Sequence, residues 1–165
     1  MHPSRLAEEE LLKRCDVRSD RRSGPGGQHR NKVETAIVVT HRPSGITAEA
    51  SERRSQVENR RVALFRLRLA LALGLRMEVG PGPASPLWHS RVKNQRIAVS
   101  AMHEDYPSLL AELLDQLAAG DYCVVAAGDH FGVSPSQVVK LLRQYPPALR
   151  TVNEARAARG LHRLT

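Results

Sequence analysis

From Val33 to His41 apolar and β-branched residues follow one another closely, Arg42-Pro43-Ser44-Gly45 supplies turn chemistry, and Ile46 to Ala50 returns as a second arm. That pattern predicts a β-hairpin. Upstream, Glu8 to Arg14 predicts a short helical lead-in and Cys15 to Ser19 a strand. Downstream, Ser55-Gln56-Val57-Glu58 has the order of a capping box, in which Ser55 serves the Glu58 amide and Glu58 reaches back. The Ala-, Leu- and Arg-rich stretch behind it predicts a long helix to about Gly74. Leu64, Leu67 and Leu71 share one face of that helix and would pack on the hairpin, while Arg60, Arg61, Arg66 and Arg68 are expected in solvent or facing a polyanion. Leu67-Arg68-Leu69 alternates as a strand would, but the capping box and the length favour the helix.

The pattern breaks at Gly80-Pro81-Gly82-Pro83-Ala84-Ser85-Pro86, a linker or a loop laid over the domain. Trp88, Arg91, Lys93 and Arg96 then precede a brief strand candidate at Ile97 to Ser100. An aromatic among basic residues can stack on nucleotides, and a Trp can equally anchor a linker in a core; both readings stay open at this point. Pro107 opens an amphipathic helix with Leu109, Leu110, Leu113, Leu114 and Leu117 on one side, stopped by Gly120. From Val124 to Leu142 the order resembles a helix-turn-helix, with Phe131-Gly132-Val133 as the turn and Ser134 to Gln137 capping the second helix. Ser136, Gln137 and Lys140 would then face a groove; the alternative is a small helical bundle that supports the preceding half. The expected class is α+β, a small α/β sandwich of hairpin plus long helix with a C-terminal all-helical extension. The expected divisions are residues 1–79 for the sandwich, 80–104 for linker and short strand, and 105–165 for the extension.

Charge changes this picture. The 165 residues carry 25 Lys plus Arg against 17 Asp plus Glu, a net +8, which points to a polyanion partner. Residues 1–76 hold 16 basic and 9 acidic groups, and residues 77–165 hold 9 and 8, so the polyanion surface belongs to the first half. Cys15 and Cys123 are far apart without paired His or further thiols, which supports neither a disulfide framework nor a metal site. Glu8-Glu9-Glu10 and the lack of an apolar run near Met1 argue against a secretory or transit leader, and Arg66 and Arg68 interrupt the longest apolar stretch. A soluble, cytoplasmic protein is expected.

The most specific chemistry precedes the hairpin, in Ser23-Gly24-Pro25-Gly26-Gly27-Gln28-His29-Arg30-Asn31-Lys32. Gly26 and Gly27 have access to positive φ, so the backbone can approach a large ligand with its N–H groups exposed. Gln28 then presents a side chain that donates and accepts but does not titrate. A bare Gly-Gly-Gln is most often a solvated turn. Here a second motif follows in order, Arg54-Ser55-Gln56-Val57-Glu58-Asn59-Arg60, with the hairpin between the two.

Gly24, Gly26-Gly27-Gln28, Asn31, Thr35-Ala36-Ile37 and the Arg54–Arg60 motif together resemble class I peptide chain release factors and the related codon-independent ribosome rescue hydrolases. Arg30 stands where the family usually has Val, and Arg22 where it has a small residue. The resemblance implies ribosome-dependent hydrolysis of the peptidyl-tRNA ester, with Gly26, Gly27 and Gln28 catalytic. It further implies that Arg21, Arg22, His29, Arg30, Asn31, Lys32, Arg54 and Arg60 contact RNA. His29 is expected in a structural or RNA-contact role rather than as a base. The implied partners are the ribosome, peptidyl-tRNA and ribosomal RNA, with a glutamine methyltransferase acting on Gln28 as a further candidate, and no cofactor or metal. Sequence-reading members add a stop-codon domain before the loop, for which the 23 residues before Gly24 leave no room, so release without codon recognition is the expectation. Rescue hydrolases also carry a Lys/Arg-dense tail, of which Arg150, Arg156, Arg159 and Arg163 are a sparse counterpart. The competing class is a non-enzymatic RNA- or DNA-binding helix-turn-helix module with an inactive loop, but such a regulator needs its basic surface in the second half.

Overall fold

The computed structural model describes residues 1–20 and 35–165, which form two compact units, residues 3–74 and 75–165.

In the first unit a 3-10 turn at Pro3–Arg5 and helix α1 (Glu8–Leu12) lead into a three-stranded antiparallel sheet in the order β1-β2-β3. Strand β1 spans Cys15–Asp20, β2 Ala36–His41 and β3 Thr47–Ala50. The central β2 buries Ala36, Ile37, Val38 and Val39 in succession, so both of its faces are covered. The hairpin arises where its turn chemistry predicts it. Gly45 takes φ +71 and donates to the His41 carbonyl, and Ser44 shares a 2.8 Å hydrogen bond with His41 Nδ1. Arg42 ties this turn to the start of β1 through the Cys15 carbonyl at 3.0 Å and the Asp16 carboxylate at 2.9 Å.

Helix α2 (Gln56–Gly74) packs across β2 and β3. Leu64, Leu67 and Leu71 are buried as their spacing predicts, each contributing about 2 kcal/mol of burial. Half of the capping box forms: Ser55 Oγ accepts from the Glu58 amide at a long 3.5 Å, and a return bond from Glu58 is not among those of the described residues. Two of the outward arginines are not free. Arg68 donates to the Ser4 carbonyl at 2.7 Å, and Arg66 to the Glu49 carbonyl at 2.8 Å and to Glu52, whose carboxyl this bond holds down at about 2. The guanidinium groups are long enough to reach back to carbonyls at the rim of the sheet and the N-terminal turn.

His41 is 2 % exposed, and its Nε2 has no partner among the described residues. Burial, followed by the nearby Arg14 and Arg42 charges, holds its pKa below the ordinary value. The folded state therefore favours the neutral ring: the stabilisation is present above the unfolded value of about 6.5 and is lost as pH falls through the folded value. Urea midpoints should drop between about pH 7.5 and pH 5, and His41→Gln should flatten that part of the profile; an unchanged slope in the variant would assign the loss to other groups.

The second unit contains α3 (Pro86–Arg91), a two-stranded hairpin of β4 (Val92–Lys93) and β5 (Arg96–Ile97), and α4 (Tyr106–Ala119), α5 (Val124–Phe131), α6 (Pro135–Arg143) and α7 (Pro146–Ala157). The expected strand at Ile97 to Ser100 is thus shorter, begins one residue earlier and is the return arm of a hairpin. Leu109, Leu110, Leu113, Leu114 and Leu117 are fully buried, and α4 ends at Gly120 as its sequence predicts. Trp88 is 1 % exposed and stacks on Phe131 with ring centroids 4.0 Å apart. It is a core anchor, not a nucleotide platform.

Helices α5 and α6 form the expected pair. Gly132 ends α5 at φ +65, and Val133 donates back to the Gly128 carbonyl at 2.9 Å. A Cβ on Gly128 would lie 2.7 Å from the Val133 carbonyl oxygen, so only glycine permits this close approach of helix and turn. Of the two thiols, Cys15, the first residue of β1, is buried, which raises its pKa, and Cys123 is exposed before α5.

Candidate functional site

Of the residues predicted to carry the chemistry, Arg21, Arg22, Gly26, Gly27, Gln28, His29, Arg30, Asn31 and Lys32 lie outside the described residues. The structure describes the frame on which that segment is mounted. Asp20, the last residue of β1, is the register partner of Ala36, the first of β2, so the segment leaves and rejoins the sheet across one strand spacing, about 5 Å. Edge strand β1 and the largely buried central strand β2 therefore stand at its two ends.

The second motif reaches this frame. Asn59, near the start of α2, is fully buried. Its Nδ2 donates to the Thr35 carbonyl at 2.6 Å and to the Arg53 carbonyl at 2.9 Å, while its Oδ1 accepts from the Arg53 amide at 2.9 Å. One amide thus joins the residue that closes the Gly-Gly-Gln segment to the bend before α2. Asn is a poor helix former, and burying it demands partners. All of its bonding goes into this junction. The flanking Arg54 and Arg60 are exposed, and so are Arg53 and Arg61. The motif therefore does two jobs: its amide fastens backbone, and its guanidinium groups form a basic rim at the same end of α2.

Sequence reasoning assigned the motif's arginines to RNA and gave Asn59 no role. The available signal was a helix-disfavoured polar residue in the first turns of a strong helix, four residues after the cap.

In the second unit, Ser136 and Lys140 are exposed, whereas Gln137 is half-buried with its Oε1 without a partner among the described residues. Arg91 is committed to Asp105 at 2.9 Å and to His103. At the C-terminal end, Arg156 donates to the His162 carbonyl at 2.8 Å and to the Tyr122 carbonyl, and Arg159 lies over the Tyr122 ring at 4.7 Å. Asn153 clasps Leu164 with bonds of 3.1 and 2.8 Å. Arg156 and Arg159 thus fasten the chain to its own helical unit.

Among the described residues no cluster of His, Cys, Asp and Glu could hold a metal ion, and no helix is long and apolar enough to cross a membrane. A shallow cavity of about 510 Å³ is lined by Cys123, Val124, Val125, Arg156, Arg159 and Leu161 in the second unit, away from both motifs in sequence.

Residues 9–85 match the RF-1 domain family. Among similar curated proteins, peptide chain release factor 1 of Geobacter sulfurreducens is 34% identical over 125 residues, covering 67% of this chain and 34% of the relative. Peptide chain release factor 1 of Malacoplasma penetrans is 47% identical over 66 residues, covering 38% of this chain and 18% of the relative. Peptide chain release factor 2 of Variovorax paradoxus is 52% identical over 56 residues, covering 33% and 15%. The chain spans at most about a third of the length of these relatives. The shorter matches are the more identical ones.

Proposed function

We propose, from the premise that this chain belongs to the class I peptide chain release factor family through residues 9–85, that it hydrolyses the peptidyl-tRNA ester on the ribosome. The observation that carries the reading is the Asn59 junction. Asn59 of the second motif is bonded, at 2.6 Å from its Nδ2, to the carbonyl of Thr35, the first described residue after the Gly-Gly-Gln segment.

Release requires water to attack the ester carbonyl, an oxyanion to develop, and the terminal ribose oxygen to leave. In the proposed mechanism the Gln28 backbone N–H donates to the oxyanion or the leaving oxygen, a contact worth about 3 kcal/mol. Gly26 and Gly27 allow the backbone path that brings this donor up, and the Gln28 side chain limits the pocket to a nucleophile the size of water. Proton transfer falls to the substrate ribose and ribosomal RNA. His29 serves as an RNA contact together with Arg21, Arg22, Arg30, Asn31, Lys32, Arg54 and Arg60, and Gln28 is the candidate target of a glutamine methyltransferase.

The finer reading is release without codon recognition, as in ribosome rescue. Its support is the kind of affinity the chain carries: 16 basic against 9 acidic groups in residues 1–76 favour phosphate backbone in a sequence-independent way. The test is peptide release from ribosome complexes that hold a stop codon, a sense codon or no mRNA in the A site. Rates should agree within about threefold, roughly 0.65 kcal/mol of discrimination. A preference for the stop codon of a hundredfold or more would replace this reading with one in which a decoding element or partner takes part.

A further inference from the structure

The second unit is nearly neutral as a whole, but its charges are segregated. No Asp or Glu occurs in residues 86–103 or in residues 130–153, while those stretches hold Arg91, Lys93, Arg96, Lys140, Arg143 and Arg150. The fold brings the two stretches together. The tip of the β4–β5 hairpin touches the α5–α6 turn, where the Ser134 amide donates to the Gln95 carbonyl at 3.3 Å, and β5 packs against α6. Gly128 fixes α5 to the same turn, so hairpin and helix are held in one relation.

Like charges are then set side by side. Lys93 and Arg96 are direct cross-strand partners, flanking a two-residue tip in which Asn94 and Gln95 take φ +48 and +57. Cross-strand cations repel one another, and a non-glycine residue at positive φ is strained. On α6, Ser136, Lys140 and Arg143 recur at four- and three-residue spacing on the side opposite Val138, Leu141 and Leu142, again pairing two cations. All four basic side chains are exposed, and among the described residues none forms an ion pair or side-chain hydrogen bond. An arrangement unfavourable in the isolated fold becomes favourable when a row of anions lies across it.

We propose that this hairpin and the outward stripe of α6 form a docking face for the phosphate backbone of double-stranded RNA. The choice of RNA rests on the ribosomal reading above; the basic face itself does not. Two features favour a duplex over a single strand. Trp88 and Phe131, the latter at the α5–α6 turn, are buried against each other and offer no platform for unpaired bases. A hairpin beside a helix instead offers two adjacent elements, each with a pair of exposed cations, to phosphate rows.

The experiment uses the full chain. Affinity for a duplex RNA of roughly 16 base pairs, and for DNA of the same sequence, is measured across a salt series for the parent and for Lys93→Ala/Arg96→Ala/Lys140→Ala. These side chains are exposed, and thermal midpoints check that the variant remains folded. The variant should bind RNA about tenfold more weakly, with the slope of log affinity against log salt reduced by about 2 to 3. Unchanged affinity and slope overturn the face. Tighter binding of the parent to DNA than to RNA overturns the assignment to RNA and turns the unit into a DNA reader. Peptide release by the parent is assayed in parallel: no release, together with weakened RNA binding by the variant, overturns the hydrolase reading and supports the face.

Discussion

We expect Gly27→Ala to lower peptide release from ribosome complexes about 100-fold or more while leaving ribosome affinity and folding stability close to those of the parent. In the proposed mechanism the backbone N–H of Gln28 stands where negative charge develops, and the residue before it must not block that approach. A methyl group at position 27 restricts the backbone path, and the cores of the described residues are built from side chains elsewhere, such as Leu11, Val39, Leu67 and Leu113. Loss of a single oxyanion donor costs about 3 kcal/mol, which converts to roughly 100-fold in rate. Release assays under single-turnover conditions separate this from binding. Undiminished turnover would remove the Gly-Gly-Gln segment from the mechanism.

Asn59→Ala should destabilise the first unit by about 3 kcal/mol and slow release more than it weakens ribosome binding. The substitution strips the Thr35 carbonyl, the Arg53 carbonyl and the Arg53 amide of their shared partner in a buried position. Asn59→Asp keeps the acceptor toward the Arg53 amide but sets a carboxylate against two carbonyls, so it does not rescue. Chemical denaturation reads the first effect. The single-turnover rate at saturation and the half-saturating concentration, taken separately, read the second. Parent-like release from a destabilised variant would limit Asn59 to a purely structural role.

The first unit was legible in the sequence because its signals are local and agree with one another. Arg42-Pro43-Ser44-Gly45 dictates a turn, Ser55 marks a helix start, and the leucines of α2 repeat on one face, so hairpin, helix and packing follow from short windows. What escaped were features that depend on partners far along the chain. Arg68 looked free until the Ser4 carbonyl, 64 residues away, came within 2.7 Å. The β4–β5 hairpin was hidden because its strands are two residues long and its Asn94-Gln95 tip lacks the glycine that usually announces such a turn. Trp88 carried two readings because only the position of Phe131, 43 residues on, decides between core and surface. For the candidate site, sequence supplied the residues and the structure supplied the junction between Asn59 and Thr35.

The placement of the two cysteines gives each unit its own built-in reporter. Cys15 lies buried at the start of β1 with a thiol that burial makes harder to ionise, so it reacts with an alkylating reagent only when the first unit opens. Cys123 stands exposed in the second unit and reacts from the native state, which makes it a single attachment point for a fluorophore. Labelling kinetics at these two sulfurs thus separate breathing of the release-factor domain from events on the helical unit, in the unaltered chain and on one time axis.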